Sequence, residues 1–526
     1  MQSAVASKRM GAVILSLVKS GGRSNKVSSR VPSLRPQCLQ NHPNRLPTWS
    51  SVSSISRCVC SQADNGDRSR TEGGRGAERK GDEEGAIPFY DIVIAGGGMT
   101  GRAMACALGL EADLDHYKIL MIEGSNPLQP LPDDLPDEYS NRVCALNHGS
   151  IDLLTSIGAW THMVNHRVQP IRSMQVLDAC SDSSISFRNQ EETSQELAYI
   201  VENDVTVDAL SRQLEKLVNR VKIQYNCTVQ DIKVPSQNVP EQESWVQIKL
   251  ANGKSIKTRL LIGADGPNSL IRTLSDVPMI QWQYDQSAVV ATLRLSESTD
   301  NVVAWQRFLP TGPIAMLPLT NELSSLVWST NHSEAESLIL MNEEQFVDEV
   351  NNAFWDDSMK IEAATTAGQL FNSVLSVVKP SGSAVRQLPP SVASISSGSR
   401  AKFPLSLGHA SHYVKPRVAL IGDAAHRVHP MAGQGVNLGF GDVACLRDTL
   451  VTAASMGKDL GCQSHLLEYE TSRQRNIIPV VAAIDSLKRL YSTDNPAVVI
   501  ARSLGLQATN ALEPLKQQII SLATGR

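Results

Sequence analysis

No Asp or Glu occurs before Asp64, although Lys8, Arg9, Lys19, Arg23, Lys26, Arg30, Arg35, Arg45 and Arg57 are present and serine is frequent. An acid-free, basic, serine-rich leader has the composition of a mitochondrial or plastid import peptide, so residues 1–63 are expected to be a transit peptide. Long hydrophobic runs are also missing. The run from Ala12 to Val18 falls far short of the roughly 20 residues a membrane-spanning helix needs, and no later stretch reaches that length. Any membrane contact is therefore expected to be peripheral. Neither sign of charge dominates: 49 Lys+Arg stand against 53 Asp+Glu, which gives no footprint for a nucleic-acid partner. The nine cysteines lack the spacing of a zinc site or a disulfide framework, and the close pair Cys58 and Cys60 falls in the leader. A reducing compartment fits that pattern.

Residues 64–87 are rich in Gly, Arg and acids and poor in apolar side chains, the composition of a disordered link. Order begins near Pro88. Tyr90 to Ile94 reads as a strand, Met99 to Leu110 as a helix and Lys118 to Glu123 as a second strand, a βαβ opening. Val207 to Val218 has helical spacing. Trp245 to Leu250 and Ser255 to Leu261 alternate like the arms of a hairpin around Asn252-Gly253. Alternating strands from Ser287 to Thr330 suggest a second, different sheet. Ser373 to Arg400 reads as loop, and the chain beyond Asp448 as mostly helix.

Three glycine-bearing turns carry the chemistry. Gly96-Gly97-Gly98-Met99-Thr100-Gly101 fits G-x-G-x-x-G between a strand and a helix. There the first glycine allows the tight turn, the second admits a pyrophosphate to the backbone, and the third lets helix and strand approach. Glu123, 27 positions after Gly96, ends the next strand, where a carboxylate accepts from ribose hydroxyls. These features point to an ADP-containing dinucleotide without separating FAD from NAD. Leu261 to Ser269 contains Ala264-Asp265-Gly266 and is followed by Arg272. Val418 to Ile421 runs into Gly422-Asp423-Ala424-Ala425-His426, then Pro430 and Gly433-Gln434-Gly435-Val436-Asn437. An Asp at a strand end suits a sugar-alcohol hydroxyl, and a glycine-rich helix start suits a flat ring and negative charge. His426 and His429 form an H-x-x-H without a third ligand, too little for a metal site. No second G-x-G-x-x-G exists to build a separate NAD(P)H domain.

In their order these turns resemble the class A flavoprotein hydroxylases, the para-hydroxybenzoate hydroxylase-like group. The stretch His429 to Gly439 with Asp442-Val443, together with Asn141 to Leu146, Trp305 to Phe308 and Arg502 to Leu506, resembles the ubiquinone-biosynthesis monooxygenases of that group. The resemblance implies an α/β (α+β) fold: a Rossmann-like FAD domain, a smaller antiparallel-sheet substrate domain and a helical C-terminal tail. The FAD domain is expected over 88–165, 199–275 and 401–470, the substrate domain over 166–198 and 276–400, and the tail over 471–526. It also implies that Gly96, Gly98, Gly101, Glu123 and Arg142 hold the ADP half of FAD and that Gly422 and Asp423 meet the ribitol. Pro430, Gly433, Gln434, Gly435, Val436 and Asn437 would lie along the isoalloxazine, with Asp265 in the turn between the FAD and substrate regions.

The implied reaction is hydroxylation, through a flavin hydroperoxide, of the C5 position of a polyprenyl-hydroxybenzoate with O2. It would take place on the matrix side of the mitochondrial inner membrane, among other ubiquinone-biosynthesis proteins. Electrons would come from a ferredoxin and its reductase, or from NAD(P)H. The same scaffold also serves polyprenyl reductases, epoxidases and other aromatic hydroxylases, and a flavin-stabilised scaffold without activity is a further alternative. No acid–base pair stands out. Arg307 is either a solvated strand residue or a contact to substrate or flavin. Phe308, Leu309, Ile314, Met316 and Leu317 are either core or the lining of a tail channel.

Overall fold

In the computed structural model, a run of strands that share one direction places every glycine turn. The model describes residues 87–132, 135–188, 196–235, 245–378, 388–429 and 433–524; the leader, the link up to residue 86 and Pro430 lie outside the described residues. Strand β1 (Phe89–Ala95) is a short apolar run whose Ile92, Val93 and Ile94 are fully buried, as in the middle of a parallel sheet. Helix α1 (Met99–Leu110) follows. Its small residues Gly101, Ala103, Ala105, Ala107 and Gly109 are all buried, so the helix lies close on the sheet. Strand β2 (Ile119–Ile122) comes next. Helix α2 (Asn203–Glu215) buries Val205, Leu210 and Leu214 and leads to β3 (Val221–Gln224). The long strand β4 (Ser255–Gly263) and the short β5 (Val418–Leu420) complete the parallel set. The order across the sheet is β5-β4-β1-β2-β3, every neighbouring pair parallel. The hairpin expected around Asn252-Gly253 is present, with Val246–Leu250 antiparallel to β4.

The second sheet is almost wholly antiparallel. It is centred on Met279–Leu295, which pairs with Leu323–Asn331 on one side and Ala401–Ala410 on the other. Ala401–Ala410, expected in the FAD domain, therefore belongs to the second sheet, because its backbone completes the edge of that long strand. Behind it, Phe346, Val350 and Phe354 of helix Glu343–Trp355 pack on Leu293, Trp305, Ile314, Met316 and Trp328. Ile314, Met316 and Leu309 are thus core, and Phe308 stacks on Tyr491 with ring centroids 4.0 Å apart. Sequence patterning read Ser373 to Arg400 as loop. A helix runs to Val378 and Val392–Ile395 adds a strand to the second sheet, 388–391 and 396–400 are loop as expected, and 379–387 lie outside the described residues. Serine content misled there, since serine on an exposed helical face costs little.

The C-terminal region is helical as expected. Helix α3 (Gln434–Ser455) and helix α4 (Gln463–Tyr491) are followed by helices Pro496–Ala511 and Glu513–Thr524. A buried bidentate pair, Arg502 Nη2 to Asp178 Oδ1 at 2.9 Å and Nε to Oδ2 at 3.1 Å, ties the penultimate helix to the second sheet. Among the described residues no helix is long and apolar enough to cross a membrane.

Candidate functional site

Because β5, β4, β1 and β2 are adjacent and parallel, their carboxyl ends open on one edge. Gly422-Asp423, Ala264-Asp265-Gly266, Gly96 and Glu123 leave that edge side by side. The approach is close enough to require glycine. Gly96 has φ +108°, and a Cβ there would sit 2.4 Å from the carbonyl oxygen of Ala264; a Cβ on Gly101 would sit 1.9 Å from that of Gly96. A Cβ on Gly98 would meet nothing within 4 Å, so this backbone faces open space. The Glu123 carboxylate accepts from the Gly97 amide at 2.6 Å and from the Ser125 amide and hydroxyl. Burial alone would raise its pKa; the Ser125 and Gly97 hydrogen bonds and the Arg102 charge outweigh it and hold the group ionised.

The second turn is internally braced. Asp265 accepts from the Ser269 hydroxyl at 2.5 Å and from the amides of Leu270 and Ile271, holding the start of helix Leu270–Leu274. Arg272 donates to the carbonyl of Ala424 at 2.9 Å and to that of Pro267 at 3.1 Å, stitching the second turn to the third. Sequence alone placed Arg272 in the motif but did not supply this role.

Asp442, in α3, anchors the third turn. It accepts from the Gly422 amide at 2.8 Å, from His426 Nε2 at 2.6 Å and from Arg473 Nε at 2.7 Å, and it is fully buried. Burial works to raise its pKa, but His426 and Arg473 hold it below the ordinary carboxylate range. Asp423 remains open to solvent on one side while protein crowds it elsewhere, and that desolvation raises its pKa. His426 and Arg427 then pair with His409 and Gly408, so the chain passes directly from the third turn into the second sheet. His426 is thereby a structural residue, and no metal-holding cluster exists among the described residues.

Helix α3 begins at the same edge. Gly433 takes the left-handed conformation at its N-cap (φ +61°), and no side chain caps the helix. A helix start without a side-chain cap suits an anion or a carbonyl oxygen. Gln434, Gly435 and Val436 are half-buried there. Asn437 is spent on the protein: its amide nitrogen donates to the Ala145 carbonyl at 2.8 Å, and its oxygen accepts from Asn147 N and Ser150 Oγ. It fixes the helix start against strand Val143–Leu146. Arg142, just before that strand, is exposed.

Arg307 does not join this group. It is buried, and its guanidinium donates to the carbonyls of Asp356 and Ala353 at the end of helix Glu343–Trp355, with Asp357 beside it. It is not a solvated strand residue. A second cluster escaped sequence reasoning. Tyr284 meets His429 edge-on with centroids 5.2 Å apart, donates to Asp485 at 3.2 Å and lies under Lys488. Burial, reinforced by Lys488, depresses the His429 pKa to about 4, so the ring is neutral at physiological pH. These residues come from distant segments with no shared motif. A cavity of about 460 Å³ along α4, lined by Ser464, Leu467, Glu468 and Arg475, touches none of the turns.

A family model described as an FAD binding domain matches residues 90–371 and 387–483. The ubiquinone biosynthesis monooxygenase COQ6, mitochondrial, of Danio rerio is 55% identical over 437 residues, covering 83% of this chain and 90% of that protein. Its Homo sapiens counterpart is 52% identical over 436 residues, covering 83% and 92%. The chain belongs to the ubiquinone-biosynthesis flavin monooxygenase family. The crystal structure of p-nitrophenol 4-monooxygenase PnpA from Pseudomonas putida has the same fold, with TM-score 0.59 at 15% identity over 84% of this chain and 100% of that one. FAD is the cofactor of this family's domain, and the site fits it. Bare backbone at Gly98 suits a pyrophosphate, the Glu123 carboxylate a ribose, Asp423 the ribitol, and the uncapped start of α3 the flavin ring's polar edge.

Proposed function

We propose that this protein is an FAD-dependent monooxygenase that hydroxylates C5 of the aromatic ring of a polyprenyl-hydroxybenzoate during ubiquinone biosynthesis. The observation that carries the reading is the convergence of three glycine-bearing turns on adjacent parallel strand ends, locked by Arg272 and Asp442, in a chain 55% identical over 437 residues to a ubiquinone biosynthesis monooxygenase. When bound, FAD supplies the activation of O2, which no side chain here provides. The protein's own contribution is placement. Gly96, Gly98, Gly101, Glu123 and Arg142 hold the ADP half. Gly422 and Asp423 hold the ribitol. Gly433, Gln434, Gly435 and Val436 line the ring, whose orientation Asn437 secures through α3. Asp265 keeps the intervening turn rigid. The amides at the start of α3 stabilise negative charge that builds up on the ring. The second sheet covers the reacting face and excludes water.

The leader at 1–63 delivers the chain to the mitochondrion, where it works on the matrix side of the inner membrane as a peripheral protein alongside other enzymes of the same biosynthesis. Its reductant is a ferredoxin with its reductase; NAD(P)H is the competing donor. The test is direct. Purified mature protein should carry a flavin absorbance spectrum. With reductant, O2 and polyprenyl-hydroxybenzoate it should yield a product one oxygen heavier, and cells lacking it should accumulate the unhydroxylated precursor by mass spectrometry. Absence of flavin, or accumulation of a precursor already oxygenated at C5, refutes the proposal.

A further inference from the structure

Tyr284 sits where the long strand of the second sheet breaks its pairing. Gln283 pairs with Ser406 and Ser287 with Pro404, so Tyr284, Asp285 and Gln286 stand opposite Leu405 alone. Asp285 takes a left-handed backbone (φ +52°), which a residue with a side chain seldom adopts. A bulge of this kind bends the strand and re-aims the side chains it carries. Its effect is visible in the packing. Val289, Ala291 and Leu293 of the same strand belong to the core of the second sheet, whereas Tyr284 joins the core of the FAD domain. There its hydroxyl donates to Asp485 Oδ1 at 3.2 Å, and Asp485 is itself held by Arg489 Nε at 2.7 Å. Lys488 Nζ stands 5.1 Å from the ring centroid. The ring also meets His429 edge-on, with centroids 5.2 Å apart and planes at 75°, the arrangement that aromatic quadrupoles favour.

His429 is the last described residue before Gly433, the N-cap of α3. Its chain neighbours place it beside that helix start. A Cβ on Gly435 would lie 4.0 Å from Val428, so the segment leading to His429 runs against the first turn of α3. Two positions before Val428, His426 is bound to Asp442 of the same helix. The exit of this short connection is braced separately: Asn437 Nδ2 donates to the Gly433 carbonyl at 3.2 Å, and a Cβ on Gly433 would stand 3.3 Å from that of Ala145. Tyr284 supports the entry. With Tyr284 8% exposed and His429 fully buried, neither ring reaches into the cleft, so any effect on the cofactor passes through the backbone they hold.

We propose that Tyr284 is a positioning residue for the flavin ring: through its edge contact with His429 it fixes where the chain enters the turn at Gly433 to Val436, and so holds the ring in one orientation towards the substrate. This rests on the FAD reading above. It gives the bulge in the second sheet a purpose, since the sheet that covers the ring also sets the backbone that lines it. Transfer of oxygen to a substrate carbon depends on such placement, and a ring left loose lets the activated oxygen go to water instead.

The test uses FAD-loaded mature protein. Visible circular dichroism reports the surroundings of the bound flavin, and fluorescence titration gives the FAD Kd. Dithionite-reduced enzyme is then mixed with O2 and polyprenyl-hydroxybenzoate; each O2 consumed ends either as hydrogen peroxide or as one ring oxygen and one water, and the two products are counted. In Tyr284→Leu the flavin dichroism should change and the ratio of peroxide to hydroxylated product should rise about two- to tenfold, the factor an aromatic edge contact gives an equilibrium. FAD affinity should fall by less, since the ADP half is held at the other turns. A residue that merely supported the fold would lower FAD affinity and leave the dichroism of the flavin still bound unchanged. Tyr284→Phe, which keeps the ring, should restore both dichroism and ratio. Because Tyr284 acts through His429, adding Tyr284→Leu to His429→Leu should shift the ratio no further than His429→Leu alone. Wild-type dichroism and ratio in Tyr284→Leu, or a Tyr284→Phe as impaired as Tyr284→Leu, overturns the inference. If the wild type binds no FAD, the cofactor reading fails and the inference with it. If it binds FAD but forms no hydroxylated product, the proposed substrate fails and the dichroism alone decides. Should Tyr284→Leu not fold, His429→Leu is judged by the same criteria.

Discussion

Replacing Asp442 with Ala is the sharpest perturbation of the frame that holds the flavin turns. In the folded protein its carboxylate takes three donors at once: Gly422 N at 2.8 Å, His426 Nε2 at 2.6 Å and Arg473 Nε at 2.7 Å. Alanine removes the anion that Arg473 Nε meets and leaves the buried Gly422 amide without its acceptor. Removing one member of a buried ion pair costs about 3–5 kcal/mol. The Arg473 bond to the Leu438 carbonyl remains, which favours the lower half of that range. Denaturant unfolding of the wild type and Asp442→Ala, each with and without added FAD, measures the loss. Because Gly422 immediately precedes Asp423, FAD retention through gel filtration should fall as well. The pH dependence gives a second check. The folded pKa of Asp442 lies below its ordinary value, so its contribution is complete above about pH 4 and disappears only as pH falls through the lowered folded value. Asp442→Asn, with no charge to titrate, should lose that acid-side component. A loss under about 1 kcal/mol in Asp442→Ala, with FAD retained, would show that the pair is not anchoring the turn.

Other outcomes follow from single contacts. Gly98→Ala should fold with wild-type stability, since its Cβ meets open space, yet bind FAD more weakly by direct titration; Gly101→Ala should lose soluble folded protein, since its Cβ would strike the Gly96 carbonyl at 1.9 Å. His409 and His429 both have folded pKa values pushed down to about 4, chiefly by burial. Stability should therefore decline as pH drops from about 6.5 towards 4, and a His409→Gln, His429→Gln double variant should flatten that slope in pH-dependent unfolding. Arg502→Met strands Asp178 in the interior and should cost about 3–5 kcal/mol; limited proteolysis followed by mass spectrometry should then reveal earlier cleavage between α4 and the helix that begins at Pro496.

How far the site could be read in advance depended on how local each signal was. Gly96, Gly101, Gly422 and Gly433 were legible because a backbone that must bend or touch another backbone excludes every other residue type, and that exclusion is written into a few consecutive positions. The parallel strands were legible too, as apolar runs buried on both faces. Asn437 and Asp265 were found in their motifs, but only the folded chain reveals that both side chains brace protein rather than reach outward.

The remainder depended on residues meeting across long separations. Arg307 lies 49 positions from the Asp356 carbonyl it binds, Arg272 lies 152 from Ala424, and Tyr284 lies 201 from Asp485. Nothing within a short window marks such partners, since a side chain's burial and charge environment are properties of the packed interior. The sequence by itself determined the cofactor class, the order of the three turns and the direction of the strands that bear them. Tertiary structure alone decided which polar side chains are consumed as internal struts, as Asp442 and Asn437 are, and which, like Asp423, stay open to solvent. The physical reason is that periodicity and glycine placement act over a few residues, whereas hydrogen-bond satisfaction is settled only when every neighbour is in place.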